Sequence, residues 1–535
     1  MSSSEAKPLL VLSLFVTLCS APFLGKAFHV DEALYIPAAQ QILKSPLAPF
    51  DFQFNWYGRT VPYPEVNNTP PLLFYILALA LKLGRGQEWA ARLILFPFDL
   101  LAAFGLYSIA RRFLSRPLLP ALIVTATPAY LINMGHLMGE KLAAGFGLAG
   151  LALLFSALER RSASRYWASA AALAAALLCK YYAAFLLLPA AYWLWRHRAP
   201  PGKTALYLCL ASSGLAAYWI HGLASSGQLW KTFWIVNRDA ARIPTAAPTH
   251  QWRSILAFAG GCGLVTALWP YFLTAQRRRW AGAWIIAIAL FWPAWDILAG
   301  VVRGVDRATG IIFSAGALLA LLQLATPSRR LPGLGLWRVW GGAALALSWA
   351  YWSVMARVIL WLLPPLIFCM AEQLERRWPP RRLSLLYSGS LAALLVLSLA
   401  LAWVDRRYAG AQRSFAQRIE RDSISQGRRV WCDAHWGLQH YLTRSGAVML
   451  DLSQGGWDQV KPGDVVVMSQ ANTNVILPSK PVKARVSRLR VESAVPLRLI
   501  SGWTGEAGFY SNVSGFLPFS FSLEPLEEFT VVEAI

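Results

Sequence analysis

The sequence predicts an all-α polytopic membrane protein with about 13 transmembrane helices, followed by a small extracytoplasmic C-terminal domain that is α+β or β-rich. The 535-residue chain is 56% hydrophobic and only 14% charged, whereas soluble chains carry about 25% charged residues. Apolar runs of roughly 20 residues, long enough to cross a bilayer, recur along the chain. Short clusters of Arg and Lys separate these runs, which is the positive-inside pattern of cytoplasmic loops.

That pattern also explains the net charge of +23. Most basic residues lie in the short loops between apolar runs and not in one extended patch, so we expect no nucleic-acid partner. The six cysteines show no CxxC or metal-ligand spacing, so a disulfide scaffold is not expected.

The basic clusters also fix the predicted number of spans. If all six clusters between 111 and 382 are cytoplasmic, an even number of spans must lie between neighbouring clusters. We interpret the first apolar run as an uncleaved span, because an acidic pair, Asp31-Glu32, follows it closely. The predicted spans are 8–25, 88–110, 117–134, 142–158, 166–178, 181–195, 204–223, 254–275, 281–302, 308–325, 339–355, 358–371 and 383–404.

This arrangement divides the chain into two domains. Residues 1–404 form the transmembrane domain, with outer loops at 29–87 and 224–253. The run 70–84 is too short to cross about 30 Å of hydrocarbon, so we predict an interfacial or re-entrant helix there. The protein then lies in a cytoplasmic (inner) membrane, with its N-terminus on the cytoplasmic side and its C-terminus on the outer side. Residues 405–535 form the extracytoplasmic domain, where short β-type runs alternate with turn signals such as Lys461-Pro462-Gly463-Asp464.

The ionisable residues that are not in basic loops collect on the predicted outer turns. Such residues near a membrane are costly and mark functional sites. A carboxylate there can act as a general base, and Lys, Arg or His can hold a phosphate. With an apolar groove for a lipid tail, these groups suit transfer of a sugar from a lipid phosphate to an acceptor.

Several segments, in this order, resemble one family: DEALYIPAAQQIL (31–43), NNTPPLLFYILALALKLG (67–84) followed by QEWAARL, NMGHLMGEKLAAGF (133–146), LLCKYYAAFLLLPA (177–190) and ARVILWLLPP (356–365). They are similar to membrane glycosyltransferases of the C-type (GT-C) fold, which include the protein O-mannosyltransferases and the lipid A aminoarabinose transferase. The resemblance covers about residues 30–375 and implies a multi-span fold and a lipid-linked sugar donor.

The resemblance implies roles for particular residues. Asp31 is the candidate base at the acceptor, Glu32 shapes the same site, and Glu140 occupies a position where the family more usually has Asp. These three are the predicted catalytic residues. The predicted substrate-binding residues are Tyr35, Tyr57, Arg59, Asn68, Lys141, Lys180, His250, Arg303, Arg307 and Arg357. Asn68-Thr69 stands where relatives that modify lipid A tend to carry Lys, which argues against a specific assignment of aminoarabinose.

The predicted activity is an inverting transfer from a polyprenyl-phosphate sugar to a lipid, protein or glycan acceptor, by a monomer without cofactor. The three carboxylates could bind a divalent ion, but the relatives that use a lipid monophosphate work without metal, so we expect none. Two alternatives stay open. One is a transporter or flippase for a lipid or polysaccharide; the other is a glycan ligase or polymerase that uses a pyrophosphate-linked donor.

Overall fold

The computed structural model describes residues 3–535 apart from 68, 227–247, 268–276, 300–301, 326–330, 471–475 and 479–481. The described part is mostly helical. Its first helices are α1 (Ser3–Ser20), α2 (Glu32–Lys44), α3 (Tyr63–Val66), α4 (Leu72–Leu83), α5 (Glu88–Ala110), α6 (Leu118–Ala126), α7 (Pro128–Met134), α8 (Gly139–Arg160), α9 (Ala163–Cys179), α10 (Leu187–Arg196) and α11 (Pro201–Ser226). The later helices are α12 (Pro248–Ala259), α13 (Arg277–Ala299), α14 (Gly304–Ala325), α15 (Leu334–Ala350), α16 (Ala356–Ile359), α17 (Leu363–Glu375), α18 (Pro380–Asp422) and α19 (Trp436–Arg444).

The helices confirm a multi-pass membrane protein. Within the described ranges, six helical segments are long and apolar enough to cross a membrane: Ala6–Phe23, Glu88–Ala110, Gly139–Arg160, Pro201–Ala224, Gly304–Ala325 and Pro380–Gln426. The full count of about thirteen stays a prediction. Most of the predicted outer loop 224–253 lies outside the described residues.

Some of the remaining predicted spans are interrupted helices. The run 117–134 is divided at Thr127, where α6 ends and α7 begins with Pro128. Proline lacks the amide hydrogen that a continuing helix needs, but it fits the first turn of a new one. The Thr127 side chain caps that turn by accepting a hydrogen bond from the Tyr130 amide at 3.3 Å. Likewise, the run 181–195 opens with a 3₁₀ turn, Tyr181–Leu186, before α10 begins.

Helix α4 has the length expected of a segment that does not span. Its 12 residues extend about 18 Å at 1.5 Å per residue, well short of the hydrocarbon thickness of about 30 Å. It packs against α2 and α5 and so closes the first outer loop over the bundle.

Helix α18 extends past the predicted domain boundary. It comprises 43 residues and ends at Asp422, whereas the last span was predicted to end at 404 and the C-terminal domain to begin at 405. The helix continues because buried residues recur at helical spacing after that point: Asp405, Tyr408, Ala409, Gln412, Phe415, Ala416 and Ile419. The predicted boundary therefore falls inside a continuous helix.

Beyond α18 the tail has an α+β arrangement. A five-stranded sheet has the order β4-β3-β5-β7-β6, with strands β3 (Val430–Asp433), β4 (Val448–Met449), β5 (Val465–Ser469), β6 (Ala484–Val491) and β7 (Glu527–Ala534). Strand β3 is parallel to both of its neighbours, and β7 is antiparallel to both of its own. Two shorter strands, β1 (Gln53–Asn55) and β2 (Thr60–Pro62), form a hairpin in the first outer loop. Helix α19 packs on α18 and α2, which joins the tail to the membrane bundle.

Candidate active site

A cavity of about 440 Å³ lies where the first outer loop, two of the predicted outer turns and the tail meet. This volume is typical of small-molecule sites, which measure about 300–1,000 Å³. Its charged lining residues are Asp31, Glu65, Lys180 and Arg357. The described cavity therefore combines convergent charged groups with a lining that is otherwise mostly aromatic and small.

Asp31 stands at the start of α2 and reaches the cavity. Its neighbour Val30 has a left-handed backbone, with φ of 51°, which is rare for a β-branched residue. Arg357, on the short helix α16, donates to Asp31 Oδ2 at 2.7 Å. Burial alone would raise the pKa of Asp31, but the Arg357 guanidinium, helped by Lys180, more than offsets this and lowers that pKa. Because 22% of the Asp31 side chain is accessible, a ligand can reach a carboxylate that stays ionised.

Behind Asp31, Glu140 joins the two cations of the cavity. Its Oε1 lies 3.6 Å from Arg357 Nε and 3.5 Å from Lys180 Nζ. Tyr182 donates to the same oxygen at 2.7 Å, and Lys180 also donates to Thr69 at 3.0 Å. The net charge of this group is zero, since it consists of two carboxylates, Asp31 and Glu140, and two cations, Lys180 and Arg357. An incoming anion would therefore share the two cations with carboxylates that are already paired with them.

Glu32 points away from this cavity into a separate buried network. Arg92 donates to Glu32 Oε2 at 2.8 Å, His136 Nδ1 lies 3.2 Å from Oε1, and the Leu137 amide donates to Oε1 at 2.9 Å. The Glu32 side chain is fully buried. Burial would raise its pKa, but Arg92 and His136 lower it overall. In this position Glu32 fixes the first turn of α2 and has no access to the cavity.

The same network extends to the tail. Asp405 of α18 accepts from Lys26 and from Tyr510, and His29 Nε2 and His136 Nε2 each lie 3.3 Å from it. Tyr510 belongs to the tail and also lines the cavity. The network thus connects one wall of the cavity to the first outer loop, to the turn before α8 and to α18.

Residues of the tail line the cavity, which the sequence analysis did not predict. His435 precedes α19 and Trp436 is its first residue, and Ile500, Gly508, Tyr510, Ser511, Val513 and Ser514 come from later loops. The His435 ring lies 3.9 Å from the Trp56 ring, centroid to centroid. Burial lowers the pKa of His435 to about 3, although Asp31 opposes this, so the imidazole is neutral. The polar-aromatic stretch DAHW (433–436) was the available signal in the sequence.

Of the other predicted binding residues, two line the cavity, five lie away from it and one is outside the described residues. Tyr35 and Tyr57 line the cavity. Lys141 lies away from it, where its Nζ is 3.0 Å from Asp99 Oδ2 and donates to the Met134 carbonyl at 2.7 Å. Arg303 is paired with Asp306 at 2.7 Å. The residues that do not line the cavity are Arg59, Lys141, His250, Arg303 and Arg307, and Asn68 lies outside the described residues.

The three predicted catalytic carboxylates are also possible ligands for a divalent ion. Across the described ranges, no group of three or more His, Cys, Asp or Glu side chains is arranged to hold a metal ion. Asp31 and Glu140, the two catalytic candidates nearest the cavity, are instead each paired with Arg or Lys. The expectation of a metal-independent reaction stays a prediction.

The family comparison agrees with the resemblance drawn from the motifs. Residues 68–220 match the model of the dolichyl-phosphate-mannose-protein mannosyltransferase family. The matched segment contains Glu140 and Lys180, whereas Asp31 and Arg357 lie on either side of it. The match confirms the resemblance expected from the motifs.

Among solved structures, the chain is similar to ArnT from Cupriavidus metallidurans bound to undecaprenyl phosphate. The identity is 16%, the TM-score is 0.41, and the alignment covers 88% of this chain and 94% of that one. The archaeal oligosaccharyltransferase AglB from Archaeoglobus fulgidus, in complex with an inhibitory peptide and a dolichol-phosphate, gives 11% identity and a TM-score of 0.42. That alignment covers 87% of this chain and 69% of AglB. Comparison with curated proteins finds no match.

Proposed function

We propose that this protein transfers a sugar from a polyprenyl-phosphate donor to a lipid, protein or cell-envelope glycan on the outer face of the cytoplasmic membrane. The transfer inverts the anomeric centre, needs no metal and is carried out by a monomer. The observation that carries the proposal is the chain of four charges, Asp31, Arg357, Glu140 and Lys180, at a cavity of about 440 Å³.

In the proposed reaction Asp31 acts on the acceptor. The acceptor oxygen attacks the anomeric carbon of the sugar, and its proton passes to the Asp31 carboxylate as the new C–O bond forms. The bond between the anomeric carbon and the phosphate oxygen breaks, and its electron pair leaves with the polyprenyl phosphate. One displacement of this kind inverts the anomeric carbon. The lowered pKa of Asp31 keeps the carboxylate ionised, so that it can accept a hydrogen bond from the acceptor hydroxyl.

Lys180 and Arg357 receive the phosphate in this scheme. The leaving phosphate gains negative charge as the bond breaks, and fixed cations in a site that excludes water stabilise that charge. Glu140, held between them, keeps both side chains extended toward the cavity before the donor binds. A diester phosphate that enters meets an electrically balanced site, so the cations bind it most strongly after it has become a monoester.

The test uses the purified full-length protein in lipid vesicles with polyprenyl-phosphate sugars and extracted envelope acceptors. Asp31→Asn removes the base but keeps the size of the side chain. We expect it to slow transfer by at least about 100-fold, the usual lower limit for a general base. Asp51→Asn, an exposed residue of the same outer loop, is the matched control and should transfer at the wild-type rate. A parallel reaction contains EDTA.

Three results would overturn the proposal. Full activity in a folded Asp31→Asn variant would exclude Asp31 as the base. Loss of transfer in EDTA would indicate a metal and a pyrophosphate-linked donor, as in a ligase or polymerase. Movement of lipid between leaflets without any glycosylated product would indicate a transporter.

A further inference from the structure

Aromatic rings form a large part of the cavity lining. Tyr57, Trp352 and Trp436 line the cavity and keep accessible surface, whereas Tyr35, Trp56, Tyr351 and Tyr510 line it but are buried. Tyr57 belongs to the first outer loop, Trp352 to the turn before α16 and Trp436 to the tail. Three separate parts of the chain therefore bring a ring to the same space.

Trp436 is held there in a strained conformation. Its φ is 56°, in the left-handed region that bulky residues avoid, at a cost of about 1–3 kcal/mol. The next residue, Gly437, packs directly on the first outer loop, since a Cβ at that position would lie 2.4 Å from the Phe28 carbonyl oxygen. The turn is thus fixed from one side, and the indole is directed to the cavity. Val30, next to Asp31 in the chain, has a similar φ of 51°.

The lining contributed by the tail carries no charge. His435 is neutral because burial lowers its pKa, and the other tail residues of the lining are apolar, aromatic or hydroxyl-bearing. Within the described lining, the cationic side chains are Lys180 and Arg357, and carboxylates hold both. A phosphate on the acceptor would find no further cation in the described lining, which also contains the carboxylate of Glu65.

We propose that the three accessible aromatic side chains of the cavity, Tyr57, Trp352 and Trp436, form the acceptor subsite and bind an uncharged sugar ring of a glycan. The flat apolar faces of such a ring pack on aromatic side chains, and its hydroxyl groups can bond to Ser511, Ser514 and Asn67, which line the same cavity. This inference rests on the proposed function, because it assigns the acceptor of that reaction. It also gives the tail a direct part in binding.

The binding experiment separates the two substrates. The full-length protein in lipid nanodiscs is titrated with neutral gluco- and manno-oligosaccharides, with the same sugars as 6-phosphates, and with a Ser/Thr-containing peptide. Polyprenyl phosphate is titrated separately. We expect a neutral oligosaccharide to bind, and its phosphorylated form to bind more weakly. Trp436→Ala and Tyr57→Ala should each weaken neutral binding by about three- to tenfold, the equivalent of one aromatic contact, without changing the affinity for polyprenyl phosphate.

Trp503→Ala is the matched control, since Trp503 is a partly exposed tryptophan of the tail that does not line the cavity. It should leave every affinity unchanged. Preferred binding of the phosphorylated sugars or of the peptide, or unchanged neutral binding in both Trp436→Ala and Tyr57→Ala, would overturn the assignment. Neutral binding that depends on Trp436 in a protein that does not bind polyprenyl phosphate would support the subsite and contradict the proposed donor.

Discussion

Glu140 competes with the substrate for the two cations of the site. Its carboxylate lies 3.5 and 3.6 Å from Lys180 and Arg357, so a phosphate bound in the cavity would share both cations with it. Opposite charges about 4 Å apart attract by roughly 1–4 kcal/mol between bulk water and a protein surface. Glu140→Gln keeps the side-chain shape and an oxygen for Tyr182, so we expect polyprenyl phosphate to bind at least about fivefold more tightly. Equilibrium binding to the protein in nanodiscs measures this.

Tighter binding of the product should also slow its release in the Glu140→Gln variant, so that polyprenyl phosphate becomes a stronger inhibitor of transfer. Glu492→Gln, an exposed tail residue, is the control and should bind as the wild type does. If Glu140→Gln weakened the binding instead, Glu140 would serve mainly to hold Lys180 and Arg357 in place, and the competition argued above would be wrong.

The charges around Asp31 predict how transfer depends on pH. Burial lowers the pKa of His435 to about 3, and Arg357 outweighs burial to keep the pKa of Asp31 below its usual value. Neither group changes its protonation between about pH 5 and 8, the interval in which an ordinary histidine titrates. We therefore expect kcat/KM for transfer to be flat over that interval. A limb with a midpoint between pH 6 and 7 would show that a histidine is charged in the site or that another group is the base.

At the scale of elements, the contact between α18 and the tail predicts an order of stabilities. Tyr510→Phe removes the hydroxyl that donates to Asp405, and loss of a hydrogen bond to a charged group costs about 1.5–3 kcal/mol. Asp405→Asn leaves the buried Lys26 without its carboxylate, and breaking a buried ion pair costs about 3–5 kcal/mol. The melting temperature in one detergent should fall in the order wild type, Tyr510→Phe, Asp405→Asn. Equal melting temperatures would show that the network does not hold the tail.

Helices could be predicted from the sequence where apolar runs are long and regular. Their bounds could not be predicted where local sequence features divide or extend a helix. The run 88–110 forms one helix of 23 residues, although Pro97 lies inside it. The apolar composition of 117–134 predicts one span, but a new helix begins at Pro128, because proline fits the first turn of a helix and cannot donate a backbone hydrogen bond inside one. The end of α18 was missed for the opposite reason. Its last turns are rich in Arg, so they read as a tail, but one face of them packs on α19 and the sheet.

For the site, the sequence predicts on which side of the membrane a residue lies. It does not predict which residues contact one another. Alternation of basic and polar loops placed Asp31, Glu140, Lys180 and Arg357 on the same predicted outer side. It also placed there residues such as Arg59 and Arg303, which do not line the cavity. It could not assign directions to Asp31 and Glu32, because adjacent helix positions point about 100° apart. The residues that the tail contributes, His435, Trp436 and Tyr510, are about 400 or more positions from Asp31 in the chain. Only the folded contacts between α19, α18 and the first outer loop bring them to the cavity.

For the whole molecule, predicted cytoplasmic loops contact one another, and predicted outer loops contact one another at a separate place. Arg112 donates to Glu159 at 2.7 Å, and Glu375 accepts from the Ser115 amide at 2.6 Å. Three of the predicted cytoplasmic loops therefore meet at one end of the bundle. The cavity residues from three predicted outer turns meet with the tail at another place. This agrees with the alternation used for the topology, whereas the side of the membrane that each end faces stays a prediction from the basic loops.

Labelling of single introduced cysteines in intact cells tests that orientation. Ser164→Cys lies beside Arg165 in a predicted cytoplasmic loop, and Gln454→Cys lies in the tail; both residues are exposed. We expect a membrane-impermeant maleimide to label Gln454→Cys in intact cells and Ser164→Cys only after permeabilisation, because the basic loop stays on the side where it was made. The unmodified protein is the blank, since Cys209 on α11 is exposed in the structure. The reverse pattern would place the cavity on the cytoplasmic side, where the proposed outward-facing acceptor could not reach Asp31, and the proposed function would fail with the topology.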